Sequence, residues 1–398
     1  MDSDIIDIIT KAFYVYVNSI ICIIGIEFNI VNLTVLKSPI LNESPFTYLT
    51  ALAYSDLLTL FFTLTTTFTR GFISNTDYLN VELFLKRMER LVFIPTANVF
   101  SAMSALVIVA LTIERFFFIK FPMHSPIYCT KKNARRIIFA LFVFILAFRW
   151  PMYFFSDAQI TTTLNLTNDQ NFTLISSQKV VVIKKFEEYH KVYFLASLTL
   201  FEIIPFILLS ILNLIIVILL KYSNRKFENM NETHSFTTKF NMPNKTPKNS
   251  NVEFNANESS IRVLKRDSSR SISLNLKNKD INSISIRRRV NEFKLTRQIV
   301  GLVTLVVMSE ICSILTYEKI TEFLIGNHFP SYMSKVYKLQ VVISNSVVLI
   351  VHSINFLILS AFNTRYSRIL KEKYLCGFKR PMNKANRPNR HSYNFHLV

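Results

Sequence analysis

The sequence predicts an all-α membrane protein: a seven-transmembrane helix bundle followed by a short amphipathic C-terminal helix. Three observations predict it. Half of the 398 residues are hydrophobic and only 18% are charged, with a mean hydropathy of +0.30, a balance unlike that of soluble or disordered chains. The apolar residues fall into seven blocks, 12–36, 46–69, 91–119, 137–156, 192–220, 295–317 and 339–361, each long enough to cross a hydrocarbon core of about 30 Å. The formal charge of +20 is concentrated in alternate connections, 115–136, 221–297 and 363–398, as the positive-inside rule requires of segments facing the cytosol.

From the amino end, segment 1–11 carries Asp2, Asp4 and Asp7 and has no basic region ahead of the first apolar block. It reads as an extracellular N-terminus, and the block after it as a retained span rather than a cleaved signal peptide. The bundle occupies 12–361. Its one long connection, 222–293, is rich in Asn, Ser, Lys and Arg and reads as a disordered cytoplasmic loop. In it, Ser268, Ser269, Ser271 and Ser273 beside Arg266 and Arg270 suit basophilic kinases and arrestin, or are simply Ser-rich disorder.

Outer loop 157–191 holds sequons at Asn165 and Asn171, where glycans can be attached. Thr161-Thr162-Thr163 and the Val/Ile run at 180–183 in the same loop suit a hairpin. Segment 362–398 is cytoplasmic. Thr364 to Tyr374 reads as a basic amphipathic helix on the inner leaflet, and Cys376 is placed to carry a palmitoyl anchor or to remain a free thiol.

Composition also excludes functions. With 5 Gly in the chain, no phosphate-cradling or dinucleotide loop is present, so no cofactor and no enzyme activity are expected. Cys22, Cys129, Cys312 and Cys376 form no C-x-x-C pair and suggest neither a zinc site nor a disulfide framework. The positive charge lies at the cytoplasmic face, suiting anionic lipid rather than nucleic acid.

Ionisable groups at membrane depth cost about 2.5–3.5 kcal/mol on insertion scales, so each needs a reason. Asp56 lies mid-span in Leu52-Ala53-Tyr54-Ser55-Asp56-Leu57, with Asn29, Ser104 and Asn355 at comparable depth in other spans, and Glu114-Arg115-Phe116 closes the third span. These residues, with Pro205, resemble the motifs of rhodopsin-like (class A) G-protein-coupled receptors over about 20–376. Phe93 to Asn98, Thr112 to Phe116, Ser353-Ile354-Asn355-Phe356 and Phe362 to Tyr366 look like invertebrate neuropeptide receptors of the FMRFamide type.

The resemblance implies a non-catalytic plasma-membrane receptor that binds an extracellular peptide and activates a heterotrimeric G protein. Arg115 would pair with Glu114 and with Glu292 when inactive. Asn29, Asp56, Ser104 and Asn355 would hold a sodium ion, with Asp56 and Ser104 as ligands. Alternatively they form a buried hydrogen-bond network in which Asp56 is protonated or His352 replaces the ion. Ala97, Asn98, Ser101, Glu202 and Glu310 would line the ligand pocket, the two acids accepting a peptide cation or sharing one proton between them.

Ala97 stands where aminergic receptors carry Asp, which disfavours an amine ligand. Arg90 stands at the position of the family's third-helix Cys, so the usual clamp on the outer loop is absent. Val306, Ser309, Glu310 and Cys312 replace the sixth-span motif, and without its Pro that helix is expected to be straighter. Two other classes remain: a serpentine chemosensory receptor for a small ligand, and a transporter or channel, which would show internal repeats and Gly/Pro-broken helices.

Overall fold

The computed structural model describes residues 3–73, 78–121, 123–154, 156–166, 174–184, 187–240, 295–314 and 331–375. Seven helices in it are long and apolar enough to cross a membrane: Ile8–Leu36, Ser44–Ile73, Leu79–Lys120, Lys131–Tyr153, Val192–Tyr222, Leu295–Ile314 and Tyr337–Ala361, referred to below as the first to seventh spans. The protein is thus a multi-pass helical membrane protein.

The second and third spans run past the apolar blocks that predict them, taking in Arg70 and Glu89. Those charges mark no helix end because they pair with each other, Arg70 Nε donating to Glu89 Oε1 at 2.6 Å. Two other helices also outrun their expected limits. The N-terminal segment is helical over Ser3–Ala12, and the fifth-span helix continues to Phe240, so 222–240 is helical where a disordered loop is expected to begin. The rest of that loop, with Ser268, Ser269, Ser271, Ser273 and Glu292, lies outside the described residues.

The third span forms the centre and has the largest buried share of the seven, while the fourth is the most peripheral. A continuous core joins Leu49 and Leu52 of the second span to Val107, Ile108 and Leu111 of the third and Val303 of the sixth. Outward faces carry Ile20, Ile23, Phe68, Phe139, Ile211 and Leu214. Helices that satisfy their own backbone groups can present such side chains to lipid.

Gly25 lies where the first, second and seventh spans leave no room for a side chain: a Cβ there would lie 2.1 Å from Ser353 Oγ and 2.8 Å from Leu60 Cδ1. Three spans contain a π-helical turn, Phe13–Val17, Glu89–Phe93 and Thr199–Ile203. Each such turn adds a residue and rotates the helix beyond it, and such turns favour functional sites. Here they carry Tyr14, Glu89 and Glu202.

The connection between the fourth and fifth spans contains an antiparallel hairpin, β1 (Ser156–Leu166) and β2 (Leu174–Lys184), with Thr162 opposite Gln178 and Val182 opposite Ala158. It packs against the N-terminal end of the third span. At the other face the C-terminal helix Thr364–Leu370 is capped by Asn363, whose side chain accepts from the amides of Arg365 and Tyr366. Tyr366 is fully buried. Its hydroxyl donates to Asn32 Oδ1 at 2.9 Å, its ring meets Phe356 edge-on, and Arg365 pairs with Glu43 at 2.8 Å.

Candidate functional site

Asp56 is the hub of the bundle. Its carboxyl group is fully buried and meets three groups from two other spans: Ser104 Oγ donates to Oδ1 at 2.6 Å, His352 Nδ1 is hydrogen-bonded to Oδ1 at 2.7 Å, and Asn355 Nδ2 donates to Oδ2 at 2.5 Å. Asn29 is brought alongside but does not touch the carboxylate; its Nδ2 donates to the carbonyls of Gly25 and His352, at 2.9 and 3.0 Å. A hard cation is best held by oxygen ligands. Here both Asp56 oxygens are engaged by O–H and N–H groups, and a ring nitrogen stands against the carboxylate. Ser104, His352 and Asn355 thus tie the second, third and seventh spans to Asp56, while the side-chain oxygens of Asn29 and Asn355 are buried with no hydrogen-bond partner among the described residues. Among the described residues no three His, Cys, Asp or Glu side chains converge as a metal set.

Toward the C-terminal end of the third span, Arg115 is 2% exposed although it carries a full charge. Its Nη2 donates to Glu114 Oε1 at 2.9 Å, and Ser44 Oγ donates to the other carboxylate oxygen at 2.8 Å. The guanidinium also lies over the Phe118 ring, 5.2 Å from its centroid. Ser44, at the start of the second span, is a partner that no sequence motif reveals.

The five residues expected to form one ligand pocket divide between two cavities. Asn98, Ser101, Glu202 and Glu310 line a small cavity of about 50 Å³ together with Ser104, His352 and Asn355, room for a few water-sized groups. Glu202 accepts from Ser313 Oγ at 3.1 Å, and Glu310 lines the same cavity with its Oε2 buried and without a hydrogen-bond partner among the described residues.

Arg149 lines the same cavity, buried, its guanidinium 4.6 Å from the centroid of Phe201. No ion pair joins it to either acid among the described residues.

Ala97 belongs instead to an outer cavity of about 770 Å³ between the first, second, third and seventh spans, and Asn98 lines both. Its walls include Val15, Ile94, Val341 and Val342, with Tyr14 and Tyr337, and its charged groups are Lys11, Arg70 and Lys338.

Asn165 is in β1 opposite Ile175. Asn171 and Cys376 lie outside the described residues. Arg149, Arg70 and Glu89 are sites that sequence reasoning missed. The cost of burying charge flags Arg149 in the fourth apolar block as surely as Asp56, while Arg70 and Glu89 fall just beyond the block ends.

Residues 16–247, more than half of the chain, match the family described as serpentine type 7TM GPCR chemoreceptor Srw. The chain is also 30% identical over 220 residues to a protein of Caenorhabditis elegans named as a probable G-protein coupled receptor, covering 54% of this chain and 49% of that relative. The match thus spans about half the length of the curated relative. Asn29, Asp56, Ser104, Glu114 and Arg115 fall within the family match, and the seven helices supply the bundle that this family's description names. The chain belongs to the serpentine seven-transmembrane chemoreceptors of the Srw type.

Proposed function

We propose that this protein is a plasma-membrane receptor, with its N-terminus outside and its C-terminus in the cytosol, that binds a small extracellular ligand and activates a heterotrimeric G protein. One observation carries the reading: Asn98 lines both the outer cavity and the smaller cavity that contains Ser104, His352 and Asn355. Asn98 therefore connects a ligand-sized space with the hydrogen bonds that tie the second, third and seventh spans together at Asp56. Ligand pockets commonly measure about 300–1,000 Å³, a range that includes the outer cavity and not the inner one.

The chemosensory family favours a small ligand over the peptide that the FMRFamide-like segments suggest. A peptide remains the second reading, favoured by the hairpin at the outer end of the third span. The class A motifs supply the inner-face logic for either. Arg115 held by Glu114 is the resting arrangement, and its release toward the cytosol is the step that receives the G protein. Such charge-assisted pairs are two-state elements able to bias a packing equilibrium.

Nucleotide exchange on a reconstituted G protein tests this without knowledge of the ligand. Glu114→Gln removes the carboxylate's charge and should raise ligand-free exchange. Arg115→Ala should abolish exchange at normal surface expression, as should the double variant. Exchange equal to wild type in all three would overturn the coupling role.

A further inference from the structure

We infer that the outer cavity is a binding site for a small carboxylate with an apolar body, held by Arg70 at the wall and by Lys11 and Lys338 at the edge. The three cations line the cavity with no Asp or Glu among its lining residues. Lys11 and Lys338 are exposed to it and have no ionic partner among the described residues. Arg70 is set in a fixed orientation: Nε is bound to Glu89 at 2.6 Å, and the guanidinium face lies 4.3 Å from the Tyr14 ring centroid.

That arrangement uses one edge and one face of the guanidinium. Its terminal nitrogens have no hydrogen-bond partner among the described residues, and Arg70 lines the cavity. A guanidinium edge presents parallel N–H groups that match a carboxylate in bidentate geometry. Glu89 is buried and paired with Arg70, and it is not among the residues that line the cavity with the two lysines.

The remaining wall decides the rest of the ligand. Val15, Ile94, Ala97, Val341 and Val342 are apolar, Tyr14 and Tyr337 are aromatic, and Asn98 and Asn345 are the amides available to a second polar group. A free inorganic anion would leave this surface uncovered, whereas an alkyl or aryl acid covers it, and burial of apolar area contributes roughly 25 cal/mol per Å². An anionic lipid headgroup shares the same chemistry, so the source is settled by experiment. The inference deepens the receptor reading by naming a ligand class and rests on it for its consequence, but binding can be measured without any G protein.

The receptor in nanodiscs of zwitterionic lipid is titrated with straight-chain carboxylates from butyrate to decanoate and with the matched primary amides, with melting temperature as the readout. At least one acid should raise the melting temperature saturably while its amide does not. Lys11→Gln/Lys338→Gln alters only exposed groups, should leave the ligand-free melting temperature unchanged and should weaken the acid several-fold. Arg70→Gln/Glu89→Gln retains a paired polar couple and should weaken the acid about tenfold, as expected for loss of a charge-assisted contact.

Equal effects of acid and amide, no saturable shift with any acid, or undiminished affinity in the lysine variant would overturn the proposal. Anionic phospholipid in the nanodisc that competes with the acid in a lysine-dependent way identifies a lipid headgroup as the occupant. Absence of competition identifies the free acid. Acid binding with no effect on nucleotide exchange would defeat the receptor reading and leave the site standing.

Discussion

His352 Nδ1 lies 2.7 Å from Asp56 Oδ1, joining the seventh span to the second at a fully buried carboxyl group. The contact makes the imidazole a direct partner of Asp56. A charge-assisted bond of this kind is worth about 1.5–3 kcal/mol, against about 0.6 for an average polar pair inside a membrane bundle.

A double-mutant cycle separates those cases. Asp56→Asn and His352→Phe should each lower the melting temperature, and the double variant should lose less than the sum, with a coupling of about 1–3 kcal/mol. Additive losses would reduce the contact to an accident of packing.

Arg70 and Glu89 give a second cycle with an asymmetric expectation. Glu89 is 4% exposed, so Arg70→Ala strands a buried carboxylate and should cost about 3–5 kcal/mol. Glu89→Ala leaves the half-exposed arginine able to reach water and should cost less. Removing both should recover part of the first loss, as read by expression level and thermal unfolding.

Gly25→Ala places a Cβ 2.1 Å from Ser353 Oγ, and overpacking of this sort costs about 1–3 kcal/mol. The compensating change Ser353→Gly clears both the hydroxyl and the Cβ behind it, and should restore most of the stability. A Gly25→Ala receptor that melts with wild type would show that the first and seventh spans are not packed at Gly25.

Tyr366→Phe should cost about 0.5–1.5 kcal/mol through loss of the bond to Asn32. Burial pushes the Tyr366 phenol well above its ordinary range, so folding favours its neutral form. Its contribution is fully present below the unfolded value of about 10 and is lost as pH rises beyond it. The stability gap between wild type and Tyr366→Phe should hold constant to about pH 10 and narrow above.

Much of the architecture was legible in the sequence because its cause is local. A bilayer demands about twenty apolar residues per crossing, a requirement each segment meets alone, and positive charge between the segments orders them. Asp56, Arg115 and Asn355 stood out for the same kind of reason, since a polar group at membrane depth is visible in a single chain. Segment ends were less legible: Arg70 and Glu89 look like boundaries until they pair.

The facing of side chains was decided by the tertiary structure. An α-helix advances about 100° per residue, and the π turns at Tyr14, Glu89 and Glu202 add a residue each, rotating the flanking faces without altering the hydropathy of the segment. Ala97, Asn98, Ser101, Glu202 and Glu310 therefore divide between two cavities, Arg149 lines the same cavity as the two acids without pairing with them, and three cations from distant parts of the chain line one space. Hydropathy records how deep a residue lies in the membrane, but the pairing of side chains depends on helix rotation, which is fixed only when seven helices pack together.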